Sequence, residues 1–209
     1  MTILNTLFLA TKSKSRLYLM QLSRIKFTLL DQCADEAICK VGLTLQQQVK
    51  AISEQKMAHV MLPSVDPQVI IFVLTADTMC QDKDGTIIGK PTDRAHARHM
   101  IKKAREGFIA STGFCVEKKQ WNGKNWIVLD RIVDVVSSQY IFDMPDKLID
   151  FHIDCMDTMN CAGAATVEDF GMQFLKTVNG SYSNILGLPL YEVRQALDKL
   201  GFSVSYLSK

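Results

Sequence analysis

No apolar run in the chain approaches the length needed to cross a bilayer. The opening MTILNTLFLATKSKSR carries its basic residues after the apolar stretch, the reverse of a secretory signal, so a cytoplasmic protein is expected. Charge of one sign is not in excess. The formal net charge is +2, and basic residues form only short clusters such as Lys102-Lys103 and Lys118-Lys119. That argues against a nucleic-acid partner or a membrane-surface partner. The six cysteines, Cys33, Cys39, Cys80, Cys115, Cys155 and Cys161, contain no CxxC pair and no zinc-like spacing with histidine. They read as small buried hydrophobes in a reducing compartment. Repeats, low-complexity tracts and clear linkers are also missing. The 209 residues allow one domain or two small ones with a real core.

The most informative stretch is Ile70 to Pro91, IIFVLTADTMCQDKDGTIIGKP. The apolar run Val69 to Leu74 predicts a strand buried on both faces. Asp77 and Thr78 then fall at its C-terminal end, where open α/β sheets place their ligands. Asp82-Lys83-Asp84-Gly85 predicts a turn, Thr86-Ile87-Ile88 a return strand, and Gly89-Lys90-Pro91 its close. A carboxylate and a lysine are thus presented from two arms of a hairpin. The pair suits a site handling a metal and a phosphate, or a surface ion pair beside a tight turn.

Upstream, Thr6–Ala10 predicts a first strand running into Thr11-Lys12-Ser13-Lys14-Ser15-Arg16 and a helix with Ser13 as N-cap. Such a junction offers backbone N–H groups, a favourable dipole and cations to an anion. It lacks the glycines of a Walker loop, and it also describes an ordinary βα turn with solvated lysines. Phe27–Leu30 predicts a second strand, followed by a loop holding Asp31, Asp35 and Glu36. Thr44 to Gln47 is a capping box opening a helix to about His59, with Lys56 complementing the dipole in its last turn. Downstream, a helix is expected from Thr92 to about Arg105, its His96, His99, Arg94, Arg98 and Lys102 forming a solvated basic face. Two long strands, Phe108–Lys118 and Asn125–Ser137, flank an Asn122-Gly123 turn. Pro145 opens another helix. The small-residue stretch Cys161-Ala162-Gly163-Ala164-Ala165 permits close backbone approach. Phe170–Val178 reads as a strand, and Leu190–Leu200 as a last helix ended by Gly201.

Four separated stretches, LATKSKSR (9–16), TADT…GKP (75–91), CAGAATVEDFG (161–171) and NGSYSNILGLPL (179–190), together resemble the Maf family of nucleoside-triphosphate pyrophosphatases. The resemblance covers nearly the whole chain in order and implies a single domain over residues 1–209. It implies an α/β fold: a mixed elongated sheet flanked by helices with a central cleft, similar to the inosine-triphosphate pyrophosphatases. It also implies cleavage of a nucleoside triphosphate between the α- and β-phosphates, a divalent cation (Mg²⁺ or Mn²⁺), and a possible homodimer. In the first motif Thr11 stands for a serine, Ser13 matches, Lys14 replaces a proline, Ser15 replaces an arginine and Arg16 matches. Glu36 matches the acidic residue after the second strand, Lys56 the motif lysine, Asp77 the catalytic aspartate and Lys90 the lysine of Gly-Lys-Pro. Arg16, Lys56 and Lys90 would neutralise phosphate charge, and Glu36 and Asp77 would hold the metal. Asp77 would be the general base for the attacking water or the ligand that positions it.

Base selection is expected to involve Ser15, Thr78 and Glu168. The branch of this family that prefers dTTP and UTP carries arginine, threonine and glutamine at these positions; the 7-methyl-GTP branch carries tryptophan, glutamine and glutamate. One position here matches each branch and Ser15 matches neither; Glu168 and Cys161-Ala162-Gly163 tilt the reading towards 7-methyl-GTP. A competing reading is a low-turnover nucleotide-binding regulator of cell division and septum formation, motivated by the altered first motif.

Overall fold

The computed structural model describes residues 3–31 and 42–203, and side chains from residue 6 onward. Glu36, Asp35, Cys33 and Cys39 lie outside the described residues. The structure is mixed α/β, with seven strands in one sheet. The path runs β2 (Phe27–Leu30), β1 (Ile3–Ala10), β3 (Ile70–Asp82), β5 (Phe108–Trp121), β6 (Trp126–Phe142), β7 (Leu175–Asn179), and β4 (Ile87–Ile88) pairs with β3. β1 is parallel to β2 and β3, and the other pairings are antiparallel.

Pairing lengths create the opening where the site lies. β1 stays beside β3 only to Leu9 opposite Leu74. On its other side β3 continues with β5 as far as Asp82 opposite Phe108. β4 covers the first side again only at Cys80 and Gln81. Between Leu74 and Cys80 one edge of β3 therefore faces the turn after β1 instead of a strand. This corrects the expected boundary: the strand does not stop before Asp77 and Thr78 but carries them. The reason is tertiary, since β5 keeps satisfying the backbone after the apolar run ends.

The two sheet faces are covered differently. Alternation of side chains along β3 sends Ile71, Val73, Thr75 and Asp77 to one face, and Phe72, Leu74, Ala76 and Thr78 to the other. On the first face lies α2 (Leu45–Ala58), opened by the expected capping box between Thr44 and Gln47. On the second lie α1 (Lys14–Ser23), α3 (Arg94–Lys103), α4 (Asp146–Cys155) and α6 (Leu190–Lys199), over the larger core of Leu9, Phe72, Leu74, Phe114 and Ile101. No helix among the described residues is long and apolar enough to cross a membrane.

Three further expectations change. Residues 170–174 are not strand: Asp169–Phe174 forms 3₁₀ turns and only Leu175–Asn179 is β7. β6 offers partners only from Gln139 to Phe142, and the rings of Phe170 and Phe174 pack on one another instead. The basic face of α3 is ion-paired, with Arg94 and Arg98 bonding Asp150, Arg94 also Asp154, and Lys102 reaching Asp146 at 2.7 Å on α4. Cys155 is exposed, unlike the buried Cys80 and Cys115.

Candidate active site

The opening beside β3 is a cleft of about 660 Å³. Of the residues singled out in the sequence, Thr11, Ser13, Ser15, Arg16, Lys56, Asp77, Thr78, Lys90 and Glu168 all line it. They come from five separate segments, so only the tertiary structure brings them together.

One wall is the face carrying Asp77. Lys56, in the last turn of α2, donates to the Oδ1 oxygen of Asp77 at 2.8 Å. The side chains are 5% and 14% exposed, so this is not a surface pair. Lys56 is not merely a partner for the helix dipole. Two features absent from the sequence reading hold α2 this close. Gly113 stands opposite Asp77 on β5. A Cβ there would lie 2.4 Å from the carbonyl oxygen of Val49, so only glycine admits the α2 backbone. The buried Thr75 hydroxyl donates to the Ser53 carbonyl at 2.8 Å, one turn before Lys56. Among the described residues the second oxygen of Asp77 makes no hydrogen bond, and no group of three metal-ligating side chains converges. Asp77 supplies to the cleft the kind of ligand that Mg²⁺ or Mn²⁺ would take, since such ions bind through one or two carboxylates plus substrate phosphates.

The other face carries Thr78. Arg16, only 7% exposed, donates through Nε to the Gly187 carbonyl at 2.7 Å and through Nη2 to the Thr78 hydroxyl at 2.9 Å. Thr78 also lies 2.9 Å from the Thr112 hydroxyl. Arg16 thus joins three cleft segments, a role beyond the phosphate neutraliser expected from the sequence. The Gly180–Leu190 motif explains the carbonyl's position. Asn184 donates from Nδ2 to the Ala110 carbonyl and the Ser138 hydroxyl, each at 3.0 Å. Its own carbonyl accepts from Thr112 at 3.2 Å. These bonds seat the short helix α5 (Tyr182–Ile185) on β5 and β6. Gly187, with φ 108°, then turns the chain back over Thr78. Asn184 lies in the NGSYSNILGLPL stretch that carries the resemblance, whereas Thr112 and Ser138 give no sequence signal, because each is a common polar residue whose partners are remote in the chain.

The mouth is cationic on the β1 side. Ser13 caps α1, its hydroxyl accepting from Arg16 N, and the Thr11 hydroxyl accepts from Ser13 N at 3.1 Å. Two of the N–H groups expected to face an anion are therefore already engaged. Lys12, Lys14 and the exposed Lys90 line the rim, and Lys14 reaches Asp157 at 3.1 Å across it. The deeper end is mixed. Ser15 donates to an Oε oxygen of Glu168 at 2.8 Å. Burial pushes the Glu168 carboxyl above its ordinary value, against the lowering effect of the Ser15 bond.

Residues 6–200 match the family model described as Maf-like protein. The chain belongs to the Maf-like family. Among curated relatives of this Maf-like chain, a protein of Syntrophus aciditrophicus named dTTP/UTP pyrophosphatase is 31% identical over 198 residues, covering 93% of this chain and 90% of that one. One from Fusobacterium nucleatum with the same name is 26% identical over 204 residues, 97% and 100% of the two chains. A Prochlorococcus marinus relative named nucleoside triphosphate pyrophosphatase is 29% identical over 208 residues, 95% and 99%.

Proposed function

We infer that this Maf-like chain is a nucleoside-triphosphate pyrophosphatase. The observation that carries the reading is the Lys56–Asp77 pair, opening into the same cleft as Lys12, Lys14 and Lys90. The names of its relatives point the same way. A triphosphate needs cations along its length and an acceptor for the proton of the attacking water. Lys90 and the rim lysines would bind the phosphates, and Lys56 would fix Asp77. The water oxygen bonds to the α-phosphorus, the bridge to the β-phosphate breaks, and pyrophosphate leaves. Asp77, through its unengaged oxygen, would accept the water's proton or hold Mg²⁺ or Mn²⁺, with Glu36 as the second carboxylate; such an ion polarises the phosphate. The activity belongs to cytoplasmic nucleotide metabolism.

For the base, the relatives' names favour dTTP and UTP. Glu168 reconciles with that choice if it is protonated, because a carboxylic acid offers one donor and one acceptor, as the edge of a glutamine does. Ionised, it offers acceptors only and suits the cationic base of 7-methyl-GTP. A homodimer is part of the same proposal. It is supported by the edge of β6 before Gln139, which has no strand partner among the described residues and where Ile127, Val128 and Leu129 are exposed.

The test is a hydrolysis panel with Mg²⁺ or Mn²⁺ against dTTP, UTP, CTP, GTP and 7-methyl-GTP, measuring pyrophosphate and orthophosphate separately. Pyrophosphate release that Asp77→Asn abolishes is the expected result. Nucleotide binding without release from any substrate would transfer the chain to the regulator reading.

A further inference from the structure

The floor of the cleft holds a group for which hydrolysis has no use. Cys80, on β3, and Cys161, in the loop after α4, both approach the carbonyl oxygen of Ala162, each sulfur 3.5 Å from it. Two atoms sharing one neighbour are separated by no more than twice that distance. The Tyr140 hydroxyl lies 3.9 Å from the Cys80 sulfur and closes the group from β6. Cys80, Cys161 and Tyr140 all line the cleft, Cys80 buried and Cys161 partly exposed. The loop is held in place. Gly163 N donates to the Gly89 carbonyl at 3.0 Å, and a Cβ on Gly163 would stand 3.1 Å from the Phe108 ring.

We propose that Cys80 and Cys161 form a dithiol site that captures a trivalent arsenical in the floor of the cleft and so excludes nucleotide.

The chemistry selects this ligand class. Burial pushes the Cys80 thiol up to about 11, and Cys161 higher still, so both are protonated at neutral pH. Thiolate-dependent reactions, such as disulfide exchange and peroxide oxidation, are correspondingly suppressed. A disulfide also needs the sulfurs bonded at about 2.05 Å. Condensation with an organoarsenic(III) oxide needs neither a thiolate nor direct contact between sulfurs. The arsenic–oxygen double bond is exchanged for two arsenic–sulfur bonds. Both thiol protons leave with the oxygen as water, arsenic stays trivalent, and no electrons are transferred. Closure by the second thiol is intramolecular, which favours this pair over single thiols such as the exposed Cys155.

The experiment exposes the purified full chain to phenylarsine oxide and reads the intact mass, so it does not depend on the hydrolase reading. One adduct per chain is expected, its mass that of the reagent less water. It should survive excess 2-mercaptoethanol and be stripped by 2,3-dimercaptopropanol. Proteolysis should give an arsenic-bridged peptide pair containing Cys80 and Cys161. Cys80→Ala and Cys161→Ser should each retain at least tenfold less monothiol-resistant adduct, while Cys155→Ser labels like the parent. UTP should slow labelling. The proposal is overturned if the parent forms no monothiol-resistant adduct, or if the bridged peptides contain other cysteines. The peptide map uses the unmutated protein, so a variant that misfolds leaves the answer intact.

Discussion

A lysine with 5% of its side chain exposed is tolerated in a fold only beside a counter-charge, and Asp77 supplies one at 2.8 Å. Removing either partner should therefore do more than trim a contact. Asp77→Asn is expected to lower kcat by about a hundredfold or more, in a pyrophosphate-release assay, with the fold retained by circular dichroism. Lys56→Met leaves a half-buried carboxylate without its cation, and should cost about 2 kcal/mol in urea unfolding, discounted for the remaining exposure of Asp77.

Glu168 and His152 set opposite pH signatures. The carboxyl of Glu168 is raised by burial, so the native state holds its proton more tightly than the unfolded chain. Its contribution is present at low pH and lost as pH rises through the raised value. If the acid form reads pyrimidines, the preference for UTP over 7-methyl-GTP should grow as pH falls, and Glu168→Gln should make it independent of pH. His152 is fully buried between Phe142 and Phe170, and burial lowers it to about 4. Native His152 therefore stays neutral where the unfolded imidazole binds a proton. Stability is full above the ordinary histidine value of about 6.5 and falls as pH drops from there towards 4, by on the order of 3 kcal/mol. His152→Phe should flatten that part of the acid-unfolding curve.

At the scale of elements, the decisive contact is α2 against β3 and β5. Gly113→Ala places a methyl 2.4 Å from the Val49 carbonyl oxygen, a backbone atom that cannot rotate away. Overpacking of that kind costs about 3 kcal/mol. Because Lys56 rides on the same helix, activity should fall more than the melting shift accounts for, measured at a temperature where the variant is fully folded. Thr75→Val removes one buried hydroxyl and should cost about 1 kcal/mol, with Thr75→Ser restoring both stability and kcat. The α3–α4 ion pairs are half-exposed, so Arg94→Ala should change stability by under about 1 kcal/mol.

For the whole molecule, the edge of β6 before Gln139 has no strand partner among the described residues, and Ile127, Val128 and Leu129 are exposed there. A register shift between Lys118 and Lys119 disturbs the β5–β6 ladder opposite Leu129, which blunts the edge without removing it. If the homodimer forms there, Val128→Lys should convert it to a monomer in sedimentation equilibrium.

Local chemistry in the sequence was sufficient for much of this. The Thr44–Gln47 box, the Ser13 cap, the Asn122-Gly123 hairpin and the Gly201 stop depend on neighbours within a few residues, and each appears where its side chains require. The mixed α/β class follows from the same periodicities. What needed the tertiary structure were quantities set by remote partners. β3 runs through Asp77 because β5 accompanies it, and residues 170–174 leave the sheet because β6 offers them no partner. Lys56 is buried because Gly113 lets a helix approach, and Arg16 turns to Gly187 because Asn184 seats that loop. A sequence records which groups are available; which hydrogen bonds and charges they satisfy depends on side-chain and backbone atoms far along the chain, as the 21-residue separation of Lys56 from Asp77 and the 171 of Arg16 from Gly187 show.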